Sequence, residues 1–153
     1  MSATDNWCTP KWLADAIGPV DLDPCSNEHS HIQARCRVAP PADGLCVEWF
    51  GRTFVNPPYS APLAWARKAV ASRGAATTAM LVKLDPTTRW WEALIDGGGQ
   101  VHLFRHRLRF ESPADSRGMV ANFPSALVIV GDTAPWDALV ADLFGSAHVW
   151  RAA

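Results

Sequence analysis

The segment from Thr53 to Pro62, TFVNPPYSAP, combines a strand-like run with a rigid, polar end. The β-branched and aromatic run stops at Asn56, and Pro57 and Pro58 cannot continue a ladder of backbone hydrogen bonds because proline lacks an N–H. The side-chain carbonyl of Asn56 and the backbone carbonyl of Pro57 form a pair of acceptors that suits the NH₂ group of a planar ring. The neighbouring Tyr59 offers an aromatic face on which such a ring can stack.

An exocyclic amine held by two acceptors is a better nucleophile, because its lone pair turns out of conjugation with the ring. Positioning of this kind can lower a reaction barrier by roughly 7–11 kcal/mol, so little acid–base machinery is needed. We therefore predict that Asn56, Pro57, Pro58 and Tyr59 form a catalytic unit that acts on an amine. A strand followed by a proline-rich turn without function is the structural alternative.

Apolar runs and helical spacings alternate along the chain. Short runs predict strands at 20–22, 34–38, 53–55, 78–84, 101–104, 126–130 and 148–150. One helix is predicted before the first strand and others between later strands, with Thr9 and Ser60 as the caps of the first two helices. This alternation favours an α/β fold with a mainly parallel sheet, in which ligands bind beyond the carboxyl ends of the strands. Asp23 and Asn56 each follow a strand, so we expect both at that edge.

The composition indicates one domain without a metal site or a membrane segment. The formal net charge of −1 gives no overall basic field, so any anion site must be built locally. The most metal-like set, Cys25, His29, His31 and Cys36, lacks the tight paired spacing of zinc sites, and we predict no metal. The chain shows no signal peptide and no apolar run of membrane length, so we expect a soluble, cytoplasmic protein.

Several motifs in order resemble those of a known family. VNPPY (55–59) resembles the signature of amino-directed, S-adenosylmethionine-dependent methyltransferases, especially those acting on adenine N6. WCTP (7–10) resembles their segment beside the cofactor's methionine part, DLDPCSN (21–27) their first cofactor motif, and ADGL (42–45) the segment that holds the cofactor's adenine. With RLRF (107–110) and FPSALVIV (123–130), the ordered set is similar to the compact phage-type DNA N6-adenine methyltransferases.

The resemblance implies a single methyltransferase domain over 1–153, with no separate target-recognition domain. It implies a compact Rossmann-like class I methyltransferase fold, with helices on both faces of the sheet. It also implies S-adenosyl-L-methionine as cofactor and a flipped-out adenine of DNA as substrate, in a bacterial or phage-infected cell. Restriction protection and marking of a phage genome are both compatible with it. The implied cofactor-binding residues are Trp7, Thr9, Pro10, Asp23, Pro24, Cys25, Asp43, Gly44 and Leu45.

Two aspartates of this set have specific implied roles. Asp23 would accept from the cofactor's ammonium group, and Asp43 from its adenine amine. Simple turn anchors are the alternatives at both positions.

The nucleic-acid side depends on fewer residues. Arg105, Arg107 and Arg109 alternate, so on a strand or ribbon they would form one basic face for phosphates or a guanine edge. Phe123 stands where the family often places an aromatic ring against the extruded base. A charged edge strand and core packing are the respective alternatives. With so few basic groups we expect a short or weakly specified DNA site, or help from a homodimer.

Three further functions stay open. One is a zinc-dependent nucleic-acid protein built on Cys25, His29, His31 and Cys36. An amino methyltransferase acting on RNA, on cytosine N4 or on a protein amide would share the NPPY motif. The family's first cofactor loop is usually glycine-rich, whereas Ser26, Asn27 and Glu28 stand in this chain. A non-catalytic nucleic-acid-binding protein that retains the fold is therefore the third alternative.

Overall fold

Helices and strands alternate along the described chain, which confirms the mixed α/β class. The computed structural model describes residues 7–112, 115–145 and 149–150. The α-helices in these ranges are α1 (Lys11–Ile17), α2 (Pro62–Ala71), α3 (Arg89–Asp96) and α4 (Asp137–Phe144), and a 3-10 helix spans Ala134–Trp136. The strands are β1 (Val20–Asp23), β2 (Ala34–Arg37), β3 (Gly51–Val55), β4 (Ala76–Lys83), β5 (Gln100–Leu103), β6 (Arg109–Ser112), β7 (Asp115–Val120), β8 (Ser125–Val130) and β9 (Val149–Trp150).

The main sheet is mainly parallel, as predicted. Within the described ranges its seven strands have the order β2-β1-β3-β4-β8-β5-β9. The pairs β1–β2, β1–β3 and β3–β4 are parallel, whereas β8 runs antiparallel to both of its neighbours and β9 runs antiparallel to β5. The strands β1 to β5 therefore all point the same way. Strands β6 and β7 form a separate two-stranded sheet.

The reversed direction of β8 shapes the carboxyl edge of the sheet. Its pairing with β4 places Lys83, at the end of β4, opposite Ser125, at the start of β8. The backbone N–H of Leu84 donates to the carbonyl of Pro124 at 2.9 Å. Phe123 thus comes to the edge where β4 ends, although forty residues of sequence separate it from Lys83.

Residues of β4 pack alternately into two apolar clusters. Ala79 and Leu81 belong to a cluster with the buried residues of α1 and α4, and Met80 and Val82 belong to one with the buried residues of α2 and α3. Successive side chains of a strand point to opposite faces, so both faces of β4 are covered. This explains why the run at 78–84 is almost uninterrupted by polar residues.

The first turns of α1 and α2 differ from the prediction. The residues that precede these helices are Pro10 and Ala61, and neither helix has a side-chain capping hydrogen bond, so Thr9 and Ser60 were wrong as caps. Glu111 of β6 instead accepts from the backbone N–H of Lys11, with an N–O distance of 3.0 Å. The Thr9 hydroxyl has a different partner, in the site described below.

Candidate active site at the carboxyl edge of the sheet

Asn56 is half-buried directly after β3, and its amide has a defined direction. Its Nδ2 donates to the backbone carbonyl of Trp7 and to the hydroxyl Oγ1 of Thr9, each at 3.3 Å. Because both hydrogens of the amide point towards these partners, Oδ1 is the atom that can accept from a ligand. Trp7 and Thr9 flank Cys8, which forms a bridge to Glu111 of β6 through two backbone hydrogen bonds, so the anchors of Asn56 are themselves fixed.

A cavity of about 380 Å³ lies in front of Asn56. Its wall brings together seven of the nine residues that the resemblance implied for the cofactor, together with the catalytic candidates Asn56 and Pro58. The seven are Trp7, Thr9, Asp23, Pro24, Cys25, Asp43 and Gly44. Pro10 and Leu45 do not line this cavity: Pro10 precedes α1, and Leu45 packs against the α2–α3 cluster.

Asp23 presents a buried carboxyl group to this cavity, with the residue only 2% exposed. Its Oδ1 accepts from the backbone N–H of Cys25 at 3.2 Å, and its Oδ2 accepts from the Ser30 hydroxyl at 3.3 Å. Burial raises the pKa of the Asp23 carboxyl above its ordinary value, because desolvation disfavours the charged form. The carboxyl group therefore anchors the turn, and a cationic partner in the cavity would stabilise its charged form. Ser30 was missed by the sequence interpretation because nothing in its local sequence marks it.

The 42–45 turn lies directly against the loop that follows β1. Asp43 is exposed, and its Oδ1 accepts from the backbone N–H of Leu45 at 2.9 Å, as in the Asp-Gly turn of the structural alternative. A Cβ on Gly44 would stand 1.7 Å from the carbonyl oxygen of Pro24, so only glycine fits there. The indole Nε1 of Trp49 fixes the turn by donating to the Gly44 carbonyl at 2.9 Å. Gly44 therefore lets the 42–45 turn pack directly against the loop that follows β1.

A second cavity, of about 490 Å³, has an aromatic wall. The ring centroids of Tyr59 and Phe123 lie 5.3 Å apart at an interplanar angle of 83°, and those of Tyr59 and Phe110 lie 6.2 Å apart at 87°. Trp7 borders this cavity as well as the first one. Burial raises the pKa of the Tyr59 phenol far above its ordinary value, so the ring is neutral at physiological pH. The two catalytic candidates Asn56 and Tyr59 thus face neighbouring cavities.

Lys83 is a residue of this second cavity that the sequence interpretation missed. Its Nζ lies 4.7 Å from the ring centroid of Tyr59 and 4.5 Å from that of Phe123. Both distances are within the range of cation–π attraction. The local sequence marked Lys83 only as the one charged residue near the end of the apolar run at 78–84.

Pro57 and Pro58 occupy different surroundings. Pro58 lines the first cavity, and its carbonyl accepts from the backbone N–H of Ala61 at 3.3 Å. Pro57 is buried and borders a smaller cavity of about 140 Å³, which it shares with Tyr59 and Lys83. Of the two acceptor residues predicted from the sequence, Asn56 therefore lines the first cavity, whereas Pro57 borders the smaller cavity that it shares with Tyr59.

The three arginines do not lie on one strand, so they do not form the single strand face that their alternation would give. Arg105 and Arg107 precede β6, and only Arg109 belongs to it. The chain passes here from the main sheet to the β6–β7 hairpin, whose strand pairing begins at Arg109 opposite Val120, so Arg105 and Arg107 precede this ladder. All three side chains are nevertheless exposed and border a common groove of about 370 Å³.

In the parts of the chain that the structure describes, no group of three or more His, Cys, Asp or Glu side chains could hold a metal ion. His31 of the zinc alternative pairs with Glu111 instead, with an Nε2–Oε2 distance of 2.7 Å. No helix within the described ranges is long and apolar enough to cross a membrane.

Comparison with known proteins gives two matches that span most of the chain. The model of a family described as DNA N-6-adenine-methyltransferase (Dam) matches residues 1–141. A curated relative, the DNA N-6-adenine-methyltransferase of Haemophilus phage HP1 (strain HP1c1), is 28% identical over 148 residues. That alignment covers 90% of this chain and 85% of the relative. The family match includes every segment that lines the two cavities.

Proposed function

We propose that this chain, which belongs to the DNA N-6-adenine-methyltransferase (Dam) family, uses the Asn56 end of β3 to direct methyl transfer to adenine N6. Its activity is that of an adenine-specific DNA methyltransferase, and the family implies S-adenosylmethionine as methyl donor. The observation that carries the assignment of residues is the Asn56 amide. It is held by Trp7 and Thr9 at the wall of one cavity, and Trp7 is also the residue that this cavity shares with the aromatic one.

The first cavity fits S-adenosylmethionine by its chemistry. The buried Asp23 carboxyl would gain a partner in the cofactor's ammonium group, which offsets the cost of its desolvation. The exposed Asp43 would accept from the cofactor's adenine amine, beside the close contact of Gly44 with Pro24. Trp7, Thr9 and Cys25 would complete the wall. When bound, the cofactor supplies an electrophilic methyl group on a sulfonium, whose sulfur keeps the bonding electrons when the methyl group leaves.

The second cavity suits the target base. A flipped adenine would stack on Tyr59, with the edge of Phe123 closing the aromatic wall. Its N6 would donate to Oδ1 of Asn56 and to the carbonyl of Pro57, which turns the N6 lone pair out of conjugation. Asn56 is not a base, so the proton that N6 loses passes to solvent. Pro58 would act by holding this segment rigid, because its ring fixes φ.

The ammonium group of Lys83 lies over the rings of Tyr59 and Phe123. A base that stacks on Tyr59 would displace this ammonium group, which would then lie beside an incoming anionic nucleotide. We propose that Lys83 keeps the aromatic wall in place until the base arrives. Arg105, Arg107 and Arg109 would contact DNA outside the cavity.

We further propose that residues 1–153 form one domain with the Rossmann-like class I methyltransferase fold. The two clusters that cover β4, one with α1 and α4 and the other with α2 and α3, support helices on both faces of the sheet. The net charge of −1 allows few phosphate contacts per chain, which favours DNA binding by a homodimer.

The decisive test is Asn56→Ala, assayed on adenine-containing DNA with labelled S-adenosylmethionine. We expect methyl transfer to fall by at least about 100-fold, the size of effect seen when one oriented polar group is removed from an active site. The melting temperature and calorimetric cofactor binding should stay close to wild type. Asn56→Asp, which keeps an acceptor oxygen, should retain more activity than the alanine variant. Full activity of Asn56→Ala would refute the assignment.

Separate assays on DNA, RNA and protein, followed by identification of the methylated base, distinguish this function from its alternatives. N6-methyladenine in DNA is the expected product. No detectable heat with millimolar S-adenosylmethionine would favour the non-catalytic alternative.

A further inference from the structure

We propose that the groove containing Trp12 binds an unpaired nucleotide of the DNA substrate, which flanks the target adenine. This groove, here called the Trp12 groove, lies between Trp12 of α1, Leu143 and Phe144 of α4 and the segment 103–109. The base would stack on Trp12, and the adjoining phosphates would lie against Arg105 and Arg107. The inference rests on the proposed function, because it takes DNA as the substrate.

Trp12 is exposed on a helix whose other apolar residues are buried. It is 52% exposed, whereas Leu13, Ala14 and Ile17 of the same helix are at most 2% exposed. Single exposed apolar side chains are common on protein surfaces, so exposure alone has no meaning. Among the large apolar side chains that the described residues expose, Trp12 is the one whose cavity also contains arginines. A groove that holds both an exposed indole and arginines can stack a flat base on the indole while the cations meet the adjoining phosphates.

The charge of the Trp12 groove favours a nucleic acid. Arg105, Arg107 and Arg109 are exposed along it, with His106 between the first two. None of its lining residues in the described part of the chain is an aspartate or a glutamate. In a protein with a net charge of −1 this is a local concentration of positive charge. Cationic side chains interleaved with an aromatic stacking surface are the composition of grooves that hold single-stranded nucleic acid.

Stacking on Trp12 requires a base whose face is free. In a continuous duplex each base is covered on both sides by its neighbours, so the indole could engage only an unpaired base or a helix end.

The Trp12 groove also lies next to the active site through β6. Arg109 lines the groove, and the next residue, Phe110, lines the aromatic cavity. Adjacent residues of a strand are about 3.3 Å apart along its axis and point to opposite sides. The groove and the aromatic cavity therefore adjoin β6 from its two sides, and a DNA strand that leaves the cavity would cross β6 to enter the groove.

The experiment uses oligonucleotides built on the methylated sequence, first identified by sequencing DNA from cells that express the protein. Two substrates are compared: a blunt duplex, and the same duplex with an unpaired tail of several nucleotides beginning beside the target adenine. We expect the wild-type protein to show a lower KM for the tailed DNA. The alanine variant of a base-stacking aromatic weakens binding by about 5- to 150-fold per base, so Trp12→Ala should bring the ratio of the two KM values close to one. Trp12→Phe, which keeps a stacking ring, should retain most of the preference.

A salt titration tests the arginines independently. Arg107→Gln should reduce the slope of log KM against log salt by about 0.7 on the tailed DNA, the value for one lost phosphate contact to a single strand. Arg67 is an exposed arginine on α2, away from this groove, and Arg67→Gln serves as the charge-matched control whose slope stays at the wild-type value. The melting temperature of each variant shows that it is folded.

The outcomes separate this proposal from the proposed function. A wild-type protein that methylates adenine in both DNAs with equal KM values, or a Trp12→Ala variant that keeps the wild-type ratio, would overturn the Trp12 groove proposal and leave the reaction assignment intact. A failure to methylate adenine in any DNA would overturn the assigned function, and this inference with it.

Discussion

Replacement of Thr9 by valine tests whether Asn56 depends on the direction of its amide. The two side chains have nearly the same shape, but valine cannot accept the hydrogen bond that Asn56 Nδ2 donates to the Thr9 hydroxyl at 3.3 Å. Thr9 is 4% exposed, so water has little access to replace the lost acceptor. The carbonyl of Trp7, also at 3.3 Å, would then hold the amide alone. Thr9→Ser keeps the hydroxyl and serves as the matched control.

The expected effect follows from the loss of one of two anchors. A neutral hydrogen bond contributes about 0.5–1.5 kcal/mol to the geometry that it stabilises. At about 1.36 kcal/mol per factor of ten in rate, this corresponds to a fall in kcat of about 2- to 13-fold for Thr9→Val. The effect should be far smaller than that of Asn56→Ala, because Oδ1 is still present and one anchor remains. Thr9→Ser should stay within about twofold of wild type, since its hydroxyl can still accept.

The assay is steady-state methylation of DNA by both variants at saturating S-adenosylmethionine, with melting temperatures measured in parallel. Thr9 also lines the cofactor cavity, so cofactor affinity is measured by calorimetry to separate a binding defect from a kcat defect. A kcat for Thr9→Val equal to that of Thr9→Ser would refute the idea that the Thr9 hydroxyl orients Asn56. A loss confined to cofactor affinity would place its role in the first cavity alone.

Gly44→Ala should raise the KM for S-adenosylmethionine and lower the melting temperature, because its Cβ would meet the Pro24 carbonyl oxygen at 1.7 Å and overpacking costs about 1–3 kcal/mol. At Gly74 an added Cβ would meet no atom within 4 Å beyond the glycine and its two chain neighbours, so Gly74→Ala should change neither quantity. Equal behaviour of the two variants would contradict the close contact between Gly44 and Pro24. Cofactor affinity, followed by calorimetry, should fall as the pH is lowered through the folded-state pKa of Asp23, which burial raises above 3.8. Since the folded state binds this proton more tightly, Asp23 favours folding at low pH and loses that contribution as the pH rises from 3.8 through its folded pKa. Asp23→Asn should therefore weaken cofactor binding without lowering the melting temperature at pH 7, and tight binding by this variant would exclude an ionic role.

Local sequence predicted the elements with strong patterns and the segments that line the site. The run at 78–84 overlaps β4 because a strand packed on both faces needs no polar alternation. The prolines after Asn56 end β3 where expected, since they cannot join a ladder. The alternating pattern at 105–109 does not form one strand, because β6 and its pairing with β7 begin only at Arg109. Thr9 was predicted to cap a helix because its local sequence did not show that its hydroxyl accepts a hydrogen bond from the distant Asn56 amide.

The sequence by itself determined the parts: an amide followed by two rigid prolines, an acid at the end of β1, an Asp-Gly turn and an aromatic residue before β8. Only the tertiary structure decided which parts meet. Asn56 is anchored 49 positions away by the Trp7 carbonyl, Gly44 touches Pro24, and the antiparallel β8 brings Phe123 to Lys83. These contacts depend on strand order, direction and register, which arise from burial of the whole core. No local pattern of side chains encodes them.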